Sequence, residues 1–141
     1  MKDYSYFLDT NIFLRPVVKD DAQKVIACEG LFRLVTEGKI KAFTSHLVLA
    51  EFVWTSQKFY QISREEVSNI LEGILGIKNL KIREKFNSSI AIQYYIQSNV
   101  KFIDALIASD SSIQKGTVKV VSYDKDFDKI KIPRIEPHQL I

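Results

Sequence analysis

A chain of 141 residues, 46% hydrophobic and 26% charged, is long enough to build one sizeable core and too apolar for an intrinsically disordered segment. Its 20 Lys and Arg against 17 Asp and Glu leave a net charge of only +3, which does not by itself announce a nucleic-acid binder. No apolar run approaches the ~20 residues of a membrane span, no signal-like segment follows Met1, and the single Cys28 excludes a disulfide framework or a cysteine-rich zinc site. A single cytoplasmic domain over residues 1–141 is expected.

Tyr4 to Leu8 reads as a buried strand that stops at Asp9. After Pro16, the acidic pair Asp20-Asp21 can cap a helix whose apolar positions Val25, Ile26, Leu31, Phe32, Leu34 and Val35 recur as far as Gly38. Ile40 to Thr44 is a second strand, and Ser45 is a good N-cap for a long helix from His46 to about Tyr60. Ser63 with Glu66 forms a capping-box pattern that opens another helix through Leu75.

Leu80 to Ile82 reads as a brief strand, followed by a helix from about Glu84 to Gln97 and a shorter one from Ile103 to about Gln114 that ends near Gly116. Val118 to Ser122 is the clearest strand, β-branched and bounded by Gly116 and the polar "YDKDFD". "RIEPHQLI" supplies a last strand and tail. Strands alternating with helices predict an α/β protein, a three-layer α/β/α sandwich with a mainly parallel central sheet.

Acids stand out of character on this frame. Asp9 closes an apolar strand, Glu51 is the charged residue of the apolar run "LVLAEFVW", Asp104 is the polar group of "FIDALIA", and Asp124, Asp126 and Asp128 follow the strand "VKVV". Some have a local explanation: a turn or cap for Asp9, the helix dipole in part for Asp104, solvated turns for Asp126 and Asp128. Glu51 has none, since no Lys or Arg lies within a helical turn of it.

Asp9 and Asp124 follow strands, where ligands of open parallel sheets bind, and right-handed crossovers bring Asp104 and Glu51 towards the same edge. Four acids converging there repel one another unless cations neutralise them. All-oxygen ligands point to Mg²⁺ or Mn²⁺ rather than zinc, because neither His46 nor His138 has a partner at ligand spacing. Such ions bind phosphate oxygens and activate water, which makes phosphodiester hydrolysis the natural chemistry. No Gly-x-Ser-x-Gly elbow and no glycine-rich phosphate loop offers a rival.

The motifs "FLDTNIFLR", "LAEF", "FIDALIAS" and "VVSYDKDFDKI", in this order and spacing over almost the whole chain, resemble those of the PIN domain family, particularly its VapC-type toxins. The resemblance implies a ribonuclease dependent on Mg²⁺ or Mn²⁺, with acidic ligands at Asp9, Glu51, Asp104 and Asp124, and with Asp126 as rival for the fourth place. It implies supporting roles for Asn11 and Ser122, a homodimer, and a small antitoxin partner lying across the active-site groove. Arg15, Lys101 and Lys125 are the basic residues near the motifs that could contact phosphate. Two other functions share the pattern: a non-catalytic RNA- or protein-binding module, and a DNA-directed nuclease of the same chemistry, since acids do not report on the 2′-hydroxyl.

Overall fold

The computed structural model describes residues 3–141. Strand β1 (Ser5–Leu8) leads into α1 (Thr10–Val18) and α2 (Ala22–Thr36), then β2 (Lys41–Thr44), α3 (His46–Lys58), α4 (Arg64–Leu75) and β3 (Leu80–Ile82). The chain continues through α5 (Ser88–Gln97), α6 (Phe102–Ala108), α7 (Ser111–Gln114), β4 (Val118–Val121), α8 (Asp126–Lys129) and β5 (Arg134–Ile135) to a 3₁₀ turn, Pro137–Gln139.

The strands form one sheet in the order β3-β2-β1-β4-β5, and every pairing is parallel. From β1 the chain steps outward through β2 and β3, then crosses to β4 and β5 on the other side. Right-handed crossovers therefore lay α1 to α4 on one face and α5 to α7 on the other. The packing of α1 on α2 and α3, of α3 on α4, and of α5 on α6 agrees with this layering. The expected three-layer α/β/α sandwich is thus present.

Phe7, Leu8, Val120 and Val121 are wholly buried, because a parallel sheet covered on both faces needs apolar residues at consecutive positions. Leu31 and Val35 of α2, Val48 and Phe52 of α3, and Ile107 of α6 fill the layers around them. Each such burial contributes about 1.5–3 kcal/mol. The change of direction between β1 and β4 opens a crevice beyond their C-terminal ends, and the candidate residues gather there.

Local departures from the sequence reading have identifiable causes. The stretch between Asp9 and Asp20 carries no predicted element, yet α1 runs straight through Pro16. The proline lies in the last turn, where its missing N–H costs one bond, and both ends are fixed. Asp9 caps the start, while Lys19 in the left-handed conformation (φ 53°) donates its N–H to the Arg15 carbonyl.

The helix expected from about Glu84 begins only at Ser88, capped by Asn87, whose side chain accepts from the Ile90 N–H. The helix expected from Ile103 to Gln114 is broken into α6 and α7, because the Asp110 carboxylate accepts from the Ser112 and Ile113 N–H groups and starts a new helix. The polar "DFDK" forms one helical turn.

Candidate active site

Asp9 is held from both sides of the crevice. Its backbone N–H donates to the Val121 carbonyl at 3.1 Å, which extends the β1–β4 ladder by one residue. The Thr44 hydroxyl donates to the Leu8 carbonyl at 2.9 Å and ties the end of β1 to β2. Only 2% exposed, Asp9 accepts from the Thr10 N–H at 2.8 Å and from the Ser122 hydroxyl at 2.7 Å. It is a helix cap and a residue of the candidate site at once.

Ser122 and Asn11 knit the two loops together. The Ser122 oxygen donates to Asp9 and accepts from the Asn11 amide at 3.0 Å and from the Asp124 N–H at 2.9 Å, which uses its full hydrogen-bonding capacity. The Asn11 carbonyl oxygen accepts from the Tyr123 N–H at 3.1 Å. Burial drives the Asp9 carboxyl up to about 6 despite the bonds from Ser122 and Thr10, and the Glu51 and Asp124 charges add to the rise.

Asp104 occupies the first turn of α6 and is 1% exposed, with its Oδ2 atom buried and without a hydrogen-bond partner among the described residues. An orphaned buried carboxylate oxygen is rare in native folds. Burial pushes its carboxyl up to about 9, reinforced by the Asp9 and Asp124 charges and opposed by Lys101. Asp124 goes the other way. Its burial is outweighed by the Asp126 N–H, at 2.9 Å from Oδ1, and by the Lys101 ammonium, at 3.1 Å from Oδ2, so it stays below the usual carboxylate range.

Carboxylate oxygens of Asp104, Asp124 and Asp126 lie within 4.8 Å of one another. The two rivals from the last motif therefore both reach the cluster, with Asp126 also 3.1 Å from Lys129. Asp9 and Glu51 stand outside this tight group but within its field. Glu51, half-buried on α3, raises the Asp9 carboxyl and holds no ion pair among the described residues. The donor set is all oxygen and one of its atoms is unsatisfied, which fits a hard divalent cation.

The basic residues are differently disposed. Lys101 lies directly on the acids, and Lys125 is exposed just before α8. Arg15 is bound to Asp20 at 2.9 Å and stands over the Tyr123 ring at 5.6 Å. The sequence reading missed how α6 is positioned. The Ser109 hydroxyl donates to the Leu106 carbonyl at 2.6 Å and accepts from the Asn87 N–H at 2.8 Å, while Arg83 pairs with buried Asp110 at 3.3 Å. Asp110 followed by Ser111 and Ser112 was the available signal, since an Asp at such a place is a ready N-cap for a new helix.

The fold and motif order have known counterparts. The family model of the PIN domain matches residues 6–133. A "VapC ribonuclease" from Aquifex aeolicus (strain VF5) is 26% identical over 132 residues, which cover 94% of this chain and 96% of that protein. The crystal structure of PAE2754 from Pyrobaculum aerophilum superposes with a TM-score of 0.68 at 16% identity, covering 97% of this chain and 93% of the other. VapBC2 from Rickettsia felis, bound to a DNA fragment from its promoter, superposes with a TM-score of 0.63 at 22% identity, covering 93% and 96%. A match over nearly the full length, with the motif acids gathered at the carboxyl edge of the sheet, identifies the chain as a member of the PIN domain family.

Proposed function

We propose that the chain, as one nuclease domain over residues 1–141, is a metal-dependent endoribonuclease that hydrolyses RNA phosphodiester bonds as the toxin of a toxin–antitoxin pair. The observation that carries this reading is the cluster of Asp104, Asp124 and Asp126 with the orphaned Asp104 Oδ2. Its similarity to a VapC ribonuclease supports RNA as the substrate.

Asp9, Glu51, Asp104 and Asp124 would hold Mg²⁺ or Mn²⁺, with Asp126 as the rival to Asp124. A bound ion of this kind would neutralise phosphate oxygens and lower the pKa of a water it holds, raising the fraction present as hydroxide. Asp9 presents a carboxylate whose direction is set by Ser122, and Asn11 holds Ser122 in register. Such outer partners matter for metal sites because they fix ligand orientation before the ion arrives. Lys101, Arg15 and Lys125 are the proposed phosphate contacts around the crevice.

Homodimerisation, an antitoxin partner and a cytoplasmic location belong to the same reading. Ile92, Tyr95 and Ile96 project from one side of α5, and Phe102 of α6 meets Tyr95 edge-on at 5.7 Å, leaving an apolar face exposed. A second copy of the chain would cover it. The solved VapBC2 relative supports an antitoxin. Among the described residues no helix is long and apolar enough to cross a membrane.

The test is incubation with a single-stranded RNA and the DNA of equal sequence, with Mg²⁺ or with EDTA. Metal-dependent cleavage of RNA alone supports the proposal. Cleavage of DNA alone replaces the substrate, and cleavage of neither leaves a binding module.

A further inference from the structure

The acid cluster carries a cation of its own. The Lys101 ammonium lies 3.1 Å from Asp124 Oδ2 and 3.8 Å from Asp104 Oδ2, although its side chain is 57% exposed and could extend into solvent. Its place in the chain is unfavourable for the helix it opens. Lys101 is the N-cap of α6, makes no side-chain cap bond, and puts a positive charge at the positive end of a helix. The residue is held there by the acids, whose charges keep the ammonium protonated against the effect of burial.

Building on the metal-centre reading above, we propose that Lys101 is a tethered counter-ion that competes with the divalent metal for Asp104 and Asp124 and must leave them when the metal loads. In the metal-free chain the ammonium pairs with Asp124 and lies near Asp104 Oδ2 without hydrogen-bonding it, which limits the repulsion between the acids. Metal and ammonium cannot both lie against the same carboxylate oxygens without cation–cation repulsion, so the metal-competent state is the one with Lys101 swung out. Apparent affinity is then the intrinsic affinity multiplied by the fraction of molecules in that state. A lysine suits this role better than an arginine, because its single flexible ammonium makes no bidentate clamp and leaves readily.

The experiment is a calorimetric titration of the full chain with Mn²⁺, comparing wild type, Lys101→Met, Lys101→Gln and Lys115→Met. Lys115 is exposed after α7, before the opposite end of β4, and controls for loss of one positive charge. Both Lys101 variants are expected to bind Mn²⁺ about tenfold more tightly, as removal of a competing state predicts, and Lys115→Met within about twofold of wild type. Metal-free Lys101→Met should also melt below the wild type and gain more on saturation with Mn²⁺. If the wild type binds Mn²⁺ and the Lys101 variants bind equally or more weakly, the competition is overturned while the metal centre stands. If no protein in the set binds Mn²⁺, the metal centre fails and the inference with it.

Discussion

The Ser122 hydroxyl donates to Asp9 at 2.7 Å across 113 residues of sequence, fastening the loop after β4 to the carboxylate that closes β1. Ser122→Ala removes this bond and leaves the Asn11 amide and the Asp124 N–H without their common acceptor. A destabilisation of about 1–3 kcal/mol is expected, together with weaker Mn²⁺ binding. Urea unfolding should show a lower midpoint at unchanged slope.

Stability of the metal-free protein should depend on pH in an unusual direction. Asp9 and Asp104, each with an ordinary value of 3.8, titrate at about 6 and about 9 in the fold. Between those limits the folded chain binds more protons than the unfolded one, so the stability these groups give is complete below 3.8 and falls as pH rises to about 9. Asp104→Asn removes the larger part of this slope. With EDTA present, the variant should unfold at higher denaturant than wild type near pH 8, and a steeper loss in the variant would contradict the assignment.

Arg83 should be worth at least as much to the fold as its partner Asp110. Arg83→Ala leaves the buried Asp110 carboxylate without its ion pair and removes the guanidinium over the Phe43 ring, whereas Asp110→Ala strips the cap from α7, where Oδ1 accepts from the Ser112 N–H at 2.8 Å, but leaves only a partly exposed Arg83 unpaired. The cap adds about 1 kcal/mol. Denaturant unfolding of the two alanine variants should rank them accordingly.

Ile96, on α5, is 76% exposed and the most accessible member of the apolar face there. Ile96→Asp places a charge where a second copy is proposed to pack, at a cost of desolvation with no partner. Light scattering should show a dimer for the wild type and a monomer for the variant, with the melting of each measured as a check on folding.

Most of the candidate site was legible because a carboxylate inside an apolar segment is a visible anomaly. Asp9, Glu51 and Asp104 each interrupt such a segment, and the parallel sheet sends their elements to one edge. The choice between Asp124 and Asp126 was not legible. It depends on a single turn, α8, whose first residue bends back so that its N–H reaches Asp124. The break between α6 and α7 was legible in part, because Ser109, Asp110 and Ser111 are cap-forming residues, but the burial of Asp110 against distant Arg83 is a tertiary fact. Lys101 was visible as a basic neighbour, but its position on the acids is a tertiary fact. Its signal was a lysine at a helix start, where the dipole disfavours it.

The most direct test is the rate of RNA cleavage by Asp104→Asn at saturating Mn²⁺, beside the wild type. The substitution keeps the shape of a side chain that is 1% exposed and removes its charge. A loss on the order of 100-fold or more, with the variant folded, is the predicted result, since a direct ligand should matter at least as much as an outer partner. Cleavage at the wild-type rate would contradict it.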